Sequence, residues 1–312
     1  MALLGRLGGW LGGQPYLLVS LTYLLWALNI VVGRYAAGHV APATLTFLRW
    51  AGAALIILPF AWPHLKRDWP SVRGNLGFLT FLAITGTSGF AILSYWGLRY
   101  TEALNGLLIQ CTMPILVGFM SYVLIGERLT VRQMSGIAVS FAGVAVVLFR
   151  GNLDVLHSVS FNIGDLLCIG SAIVFATYSA MVKRRPAMHP ISFFTVTSAI
   201  GAIATLPLSL WEIATTGAPR FDLTTIWIAL FIATFPSIVA YICYNRGVEL
   251  IGPNRTVALY PLIVLFGALI AIVFLGERPQ LFHLAGAVLI VFGVLTATRQ
   301  RAVRMPLEGR RP

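Results

Sequence analysis

The chain holds 312 residues, of which 58% are hydrophobic and 10% charged, with a formal net charge of +12. A soluble domain carries roughly 25% charged residues, so this composition excludes a soluble globular protein of this size. The charge does not mark nucleic-acid binding either. Lys and Arg fall in short gaps between apolar runs, where membrane topology retains them.

Those runs are roughly 17–25 residues long, enough to span a hydrocarbon core ~30 Å thick. They predict ten helices near residues 15–36, 42–62, 74–97, 103–125, 131–149, 162–183, 190–213, 223–245, 253–275 and 280–298. In lipid every backbone N–H and C=O needs an internal partner, which a helix supplies alone. A membrane barrel would instead show ~10-residue segments of alternating polarity, and stretches such as Ala138 to Phe149 do not alternate. The expected fold class is therefore all-α and integral to the membrane.

Arg6 precedes the first run and no convincing small-residue cleavage site follows, so the first helix reads as retained. Cys111, Cys168 and Cys243 all fall inside apolar runs and read as packing residues. No metal-ligand spacing occurs, and no cofactor or metal is expected. With the N-terminus cytoplasmic, 16 of the 22 Lys and Arg lie inside, five lie outside, and Arg49 sits within a span. That bias predicts both termini on the cytoplasmic side. Residues 300–312 form a basic cytoplasmic tail suited to anionic lipid.

The chain repeats itself. Gly126-Glu127-Arg128 recurs as Gly276-Glu277-Arg278, and Gly136 and Gly143 as Gly286 and Gly293, all 150 residues apart. Pro42 and Pro59 recur as Pro190 and Pro207 at an offset of 148, and Pro114 as Pro261 at 147. Trp26-Ala27 before Arg34 matches Phe175-Ala176 before Lys183 at 149. The reading is two halves, 1–150 and 151–299, of five spans each. Five is odd, so the second half enters the membrane in the opposite sense, making an inverted repeat. Such folds place a substrate site near the midplane between the halves and expose it by rocking.

Two five-span halves, a Gly-Glu-Arg after the fourth span of each and a proline upstream of it resemble the drug/metabolite transporter superfamily. Within it the chain is similar to the EamA family. Phe235-Pro236-Ser237-Ile238-Val239-Ala240-Tyr241 with Tyr244-Asn245-Arg246, and Phe47-Leu48-Arg49-Trp50, are similar to its bacterial exporters. The resemblance covers nearly the whole chain. It implies a secondary transporter of the bacterial inner membrane, working on a small molecule, as a monomer or homodimer. Relatives of this kind export amino acids, their metabolites, metallophores or toxic compounds, and others import vitamins.

The ten acidic residues all fall in predicted loops or near span ends. Proton-coupled carriers bury a carboxylate within the membrane, so its absence here favours facilitated export or exchange. Arg49 is a candidate contact for a substrate carboxylate, although it lies only about two turns from the outer end and could snorkel. Further candidates are Trp26, Asn29, Tyr95, Gln110, Tyr178, Tyr241, Tyr244, Asn245 and Tyr260, which can bond a zwitterion and stack on an apolar group. Thr85, Thr87, Ser88, Asn105, Thr112, Ser179 and Ser237 fall in the same spans and read more as helix-to-helix bonds. Pro114, Pro236 and Pro261 read as helix breaks. Glu127, Arg128, Glu277 and Arg278 read as structural turns, each acid facing the next helix and pairing with its arginine. Export of amino acids is the leading expectation, nutrient import the alternative. An intramembrane enzyme is a remote one, since no mid-span histidine or paired aspartates supply a catalytic group.

Overall fold

The computed structural model describes residues 10–36, 39–101, 103–151, 161–219, 222–275 and 278–299. They form helices without a strand. The spans are α1 (Pro15–Ala36), α2 (Pro42–Gly74), α3 (Leu76–Tyr100) and α4 (Ala103–Cys111 with Met113–Ile125). There follow α5 (Val131–Leu148), α6 (Ile163–Arg184), α7 (Pro190–Thr216), α8 (Leu223–Ile251), α9 (Pro253–Ala258 with Leu262–Leu275) and α10 (Leu281–Thr298). Nine of these helices are long and apolar enough to cross a membrane, and the two parts of α4, bent by 42°, make a tenth span.

Local chemistry sets the boundaries. Pro42, Pro190 and Pro253 open α2, α7 and α9, where the missing N–H costs nothing. Thr130 with Gln133, and Asn162 with Asp165, form capping boxes on α5 and α6. Helix α2 differs from the expected end at residue 62. It runs 33 residues, or about 50 Å at 1.5 Å per residue, well past the hydrocarbon core. The apolar pattern stops at the membrane surface while the helix continues into the interface. There Lys66 lies over Trp62 and Arg73 over Trp69, at 5.2 and 5.5 Å, as amphipathic rings do at headgroup depth.

The packing follows the repeat. Helix α5 lies along its counterpart α10, and α2 along α7. The contact of α3 with α6 is mirrored by α8 with α1, and α4 with α6 by α9 with α1. An exchange of halves therefore maps the contacts onto one another, as a two-fold axis in the membrane plane requires.

The α5–α10 seam shows why the repeated glycines are spaced as they are. A Cβ on Gly136 would meet Gly293 O at 2.6 Å, and one on Gly143 would meet Gly286 O at 2.8 Å. The reverse contacts recur, Gly293 against Gly136 O at 2.6 Å and Gly286 against Gly143 O at 2.9 Å. Backbone meets backbone here, the small-residue mode of membrane helix association. Backbone cannot step aside, so Gly293→Val is expected to destabilise the protein by about 1–3 kcal/mol. Thermal unfolding in detergent checks this, with Gly77→Ala as a control, because nothing lies within 4 Å of a Cβ at Gly77.

Candidate functional site

Two matched defects in the helices build the centre of the molecule. Helix α3 widens into a π-helical turn over Ile84–Ser88, and α8 into one over Thr234–Val239. They begin 150 residues apart. A π turn loosens the regular carbonyl ladder, which inside a membrane demands other donors. In α8 the cause is Pro236, which has no N–H to offer the carbonyl of Ile232, four residues back. The Ser237 hydroxyl donates to that carbonyl instead, at 2.7 Å.

Each π turn is capped from the opposite half. The carbonyl of Pro236 accepts from Trp26 Nε1 at 3.1 Å and from Arg49 Nη2 at 3.2 Å. Arg49 Nε donates to Ser237 Oγ at 2.7 Å. The carbonyl of Gly86, in the α3 turn, accepts from the Tyr241 hydroxyl at 2.7 Å. Arg49 is 6% exposed, and no carboxylate lies within ion-pair distance of it among the described residues. Its guanidinium rests 4.8 Å from the Trp50 ring centroid, which supplies part of the compensation a buried cation needs.

Aromatic rings fill the space between the halves. Trp26 lies 5.4–5.6 Å, centroid to centroid, from Tyr23, Phe175, Tyr241 and Tyr244. Trp50 meets Tyr241 edge-on at 5.2 Å. The hydroxyls are tied down within the same layer: Tyr178 donates to Asn245 Oδ1 at 2.7 Å, and Tyr244 shares a 2.6 Å bond with Ser179. Tyr260 follows the break between the two parts of α9 and donates to Gln110 Oε1 at 3.3 Å, just before the bend of α4. Pro114 and Pro261 thus flank matched breaks, while Pro236 lies in a π turn.

Of the sequence candidates, Trp26, Arg49, Tyr178, Tyr241, Tyr244 and Asn245 converge on this layer, and Gln110 and Tyr260 join it through Tyr23. Tyr95 lines a small cleft with Pro42, Ala43 and Trp96 at the margin of this layer, near enough to Tyr241 to interact with it electrostatically. Asn29 buries its Oδ1 without a partner among the described residues. Tyr23, Trp50 and Gly86 escape the sequence reading. Trp50 adjoins Arg49 and Tyr23 lies a turn before Trp26, spacings that could have flagged them. Nothing local marks Gly86, but its offset of 150 from Pro236 does.

Polar contacts join the halves at both ends. At one end Lys183 pairs with Glu127 across the halves, while Arg185 and Arg246 pair with Glu249 within the second half, at 3.0 and 3.1 Å. The sequence reading pairs Glu127 with Arg128, but Arg128 lies over the Tyr122 ring and the more distant lysine takes its place. Glu277 is outside the described residues, and Arg278 is exposed. At the same end Asp68 accepts the His189 N–H at 2.8 Å, and the His64 and His189 rings stack at 3.7 Å. At the other end Glu212, 2% exposed, accepts from the Thr44 N–H and hydroxyl at 2.8 and 3.1 Å, with Arg99 at 3.6 Å. There the Thr101 hydroxyl also donates to Asp165 at 2.5 Å.

Burial and then the neighbouring His64 hold the His189 pKa below its ordinary 6.5, against a smaller upward pull from Asp68. The unfolded chain then binds the extra proton first as the pH falls, so stability is present above 6.5 and declines as the pH drops through the folded value. The melting temperature is expected to fall between about pH 7.5 and pH 5.5, less steeply in His189→Gln. Independently, Tyr241→Phe leaves the buried Gly86 carbonyl without its donor, at an expected cost of about 1–3 kcal/mol, read by denaturation in detergent.

A ten-span bundle of two repeats with broken helices and a polar-aromatic layer at their junction is an architecture that membrane transporters use. The EamA-like transporter family matches residues 14–149 and 162–299, and the chain belongs to that family. It is 29% identical over 280 residues to the uncharacterized transporter YyaM of Bacillus subtilis, covering 88% of this chain and 90% of that one. A second relative, a probable terminal-alkyne amino-acid exporter of Streptantibioticus cattleyicolor, is 24% identical over 90% of this chain and 95% of its own. A crystal structure superposes with a TM-score of 0.71 at 19% identity, covering 91% of this chain and 97% of the other.

Proposed function

We propose that this transporter exports amino acids or amino-acid-like metabolites from the bacterial cytoplasm by alternating access, its halves 1–150 and 151–299 rocking about the aromatic layer. The observation that carries the reading is Arg49, a buried cation without a carboxylate partner among the described residues, set against the Pro236 carbonyl in the π turn of α8, which accepts side-chain donors as Gly86 O does in the π turn of α3. A zwitterion complements that arrangement. Its carboxylate would neutralise Arg49, its ammonium would replace side-chain donors on Pro236 O and Gly86 O, and its side chain would lie against Trp26 and Tyr244. The name of the Streptantibioticus relative points to the same substrate class. In this reading the helix ends bearing Lys183 and Arg246 face the cytoplasm, with both termini, in the inner membrane.

Counterflow in proteoliposomes tests it. Unlabelled amino acids loaded inside, one group at a time, should accelerate entry of a labelled one, with or without a pH gradient. Arg49→Gln should slow counterflow of an amino acid about tenfold to a hundredfold, the worth of a charge-assisted bond, while sparing that of the matching amine without a carboxylate. Equal losses for both would remove the Arg49 assignment. Exchange that requires a pH gradient would overturn uncoupled facilitation and direct attention to the buried Glu212.

A further inference from the structure

We propose that the groove between α1, α9 and α10 is a binding site for one acyl chain of an anionic phospholipid, with the phosphate on Arg299. The groove encloses about 740 Å³, within the roughly 300–1,000 Å³ typical of ligand sites. Its polarity runs one way. Tyr16, Thr298 and Arg299 form one end, and Leu259, Leu262 and Val294 line the interior. From Arg299 to Val291 the α10 wall extends about 12 Å at 1.5 Å per residue, directed from the helix end into the membrane.

Three observations point to a lipid. The rim residues Val291 and Leu295 are 44% and 61% exposed, so the groove opens sideways to the hydrocarbon, where an acyl chain has a direct path. The hydroxyl of Ser20 lines the groove one turn deeper than Tyr16, a polar group at the depth where a glycerol ester could accept its hydrogen bond. Arg299 has no carboxylate partner among them either. The sequence beyond it adds four arginines against one glutamate, which raises the local positive field that selects an anionic headgroup. Tyr16 donates to the Thr298 carbonyl at 3.0 Å and ties the two walls together at the headgroup end. The floor at Leu259 adjoins Tyr260 and the break in α9, so an occupant would brace that break.

The test uses the full chain in detergent, titrated with phosphatidylglycerol or phosphatidylcholine of identical chains and followed by native mass spectrometry. Phosphatidylglycerol should be retained about fivefold more tightly, the worth of one basic side chain at a membrane surface. Arg299→Gln should bring it to the phosphatidylcholine level. Leu295→Trp, which places a bulky ring at the rim, should weaken both lipids, and unchanged melting temperatures would show that the variants fold. Equal retention of the two lipids by the native chain, a preference that survives Arg299→Gln, or displacement by inorganic phosphate as effective as by the lipid would each overturn the proposal. This site stands apart from the aromatic layer and does not depend on which substrate the protein carries.

Discussion

The structure depends on one constraint: a backbone carbonyl in lipid must find a donor. Helices α3 and α8 each widen into a π turn at the centre of the molecule, and each turn takes side-chain donors from the opposite half. Tyr241 serves the turn in α3, and Trp26 and Arg49 serve the turn in α8. The two halves are thus joined by a reciprocal exchange of hydrogen bonds. Those same bonds are the ones a polar solute between the halves would compete for, so cohesion of the fold and chemistry of the site rest on the same atoms.

Around that exchange the contacts divide into two kinds. Where α5 meets α10, backbone packs on backbone through glycines and leaves no slack. Where the halves meet at the two ends, the contacts are ion pairs, stacked histidines and single hydrogen bonds. The rocking proposed above would use this division: the glycine seam would keep the halves in register, and the exposed Lys183–Glu127 pair, worth little by itself, would be free to open.

Much of this was legible in the sequence because it has a period. Span length, charge bias and the near-constant offset of paired residues identify ten helices, two halves and the family. Aromatic and amide residues in mid-span give most of the central layer, since they are costly there unless they are used. What escaped has no local signature. The π turn at Gly86 reads as ordinary helix, because glycine in a membrane span has many reasons to be present. The partner of Glu127 lies 56 residues away at Lys183, whereas a sequence reading takes the adjacent arginine. The length of α2 was missed because hydropathy reports where lipid ends, and the helix continues into the interface. Tyr95 fits the candidate pattern by composition and lies at the margin of the layer, between Tyr241 and the cleft at Pro42.

The two ends also differ in how deeply their carboxylates are buried. Glu127 and Lys183 expose 31% and 42% of their side chains, whereas Glu212 exposes 3%. Mobile ions screen the first pair within a Debye length of about 8 Å at physiological ionic strength, and reach the second through Arg99, which exposes 48% of its side chain, but the two hydrogen bonds from Thr44 to the buried Glu212 carboxylate are shielded. A rise in salt therefore weakens the Lys183–Glu127 contact more than the hold of Thr44 on Glu212. The cohesion of the Lys183 end is thus tied to the ionic strength of the solution that bathes it.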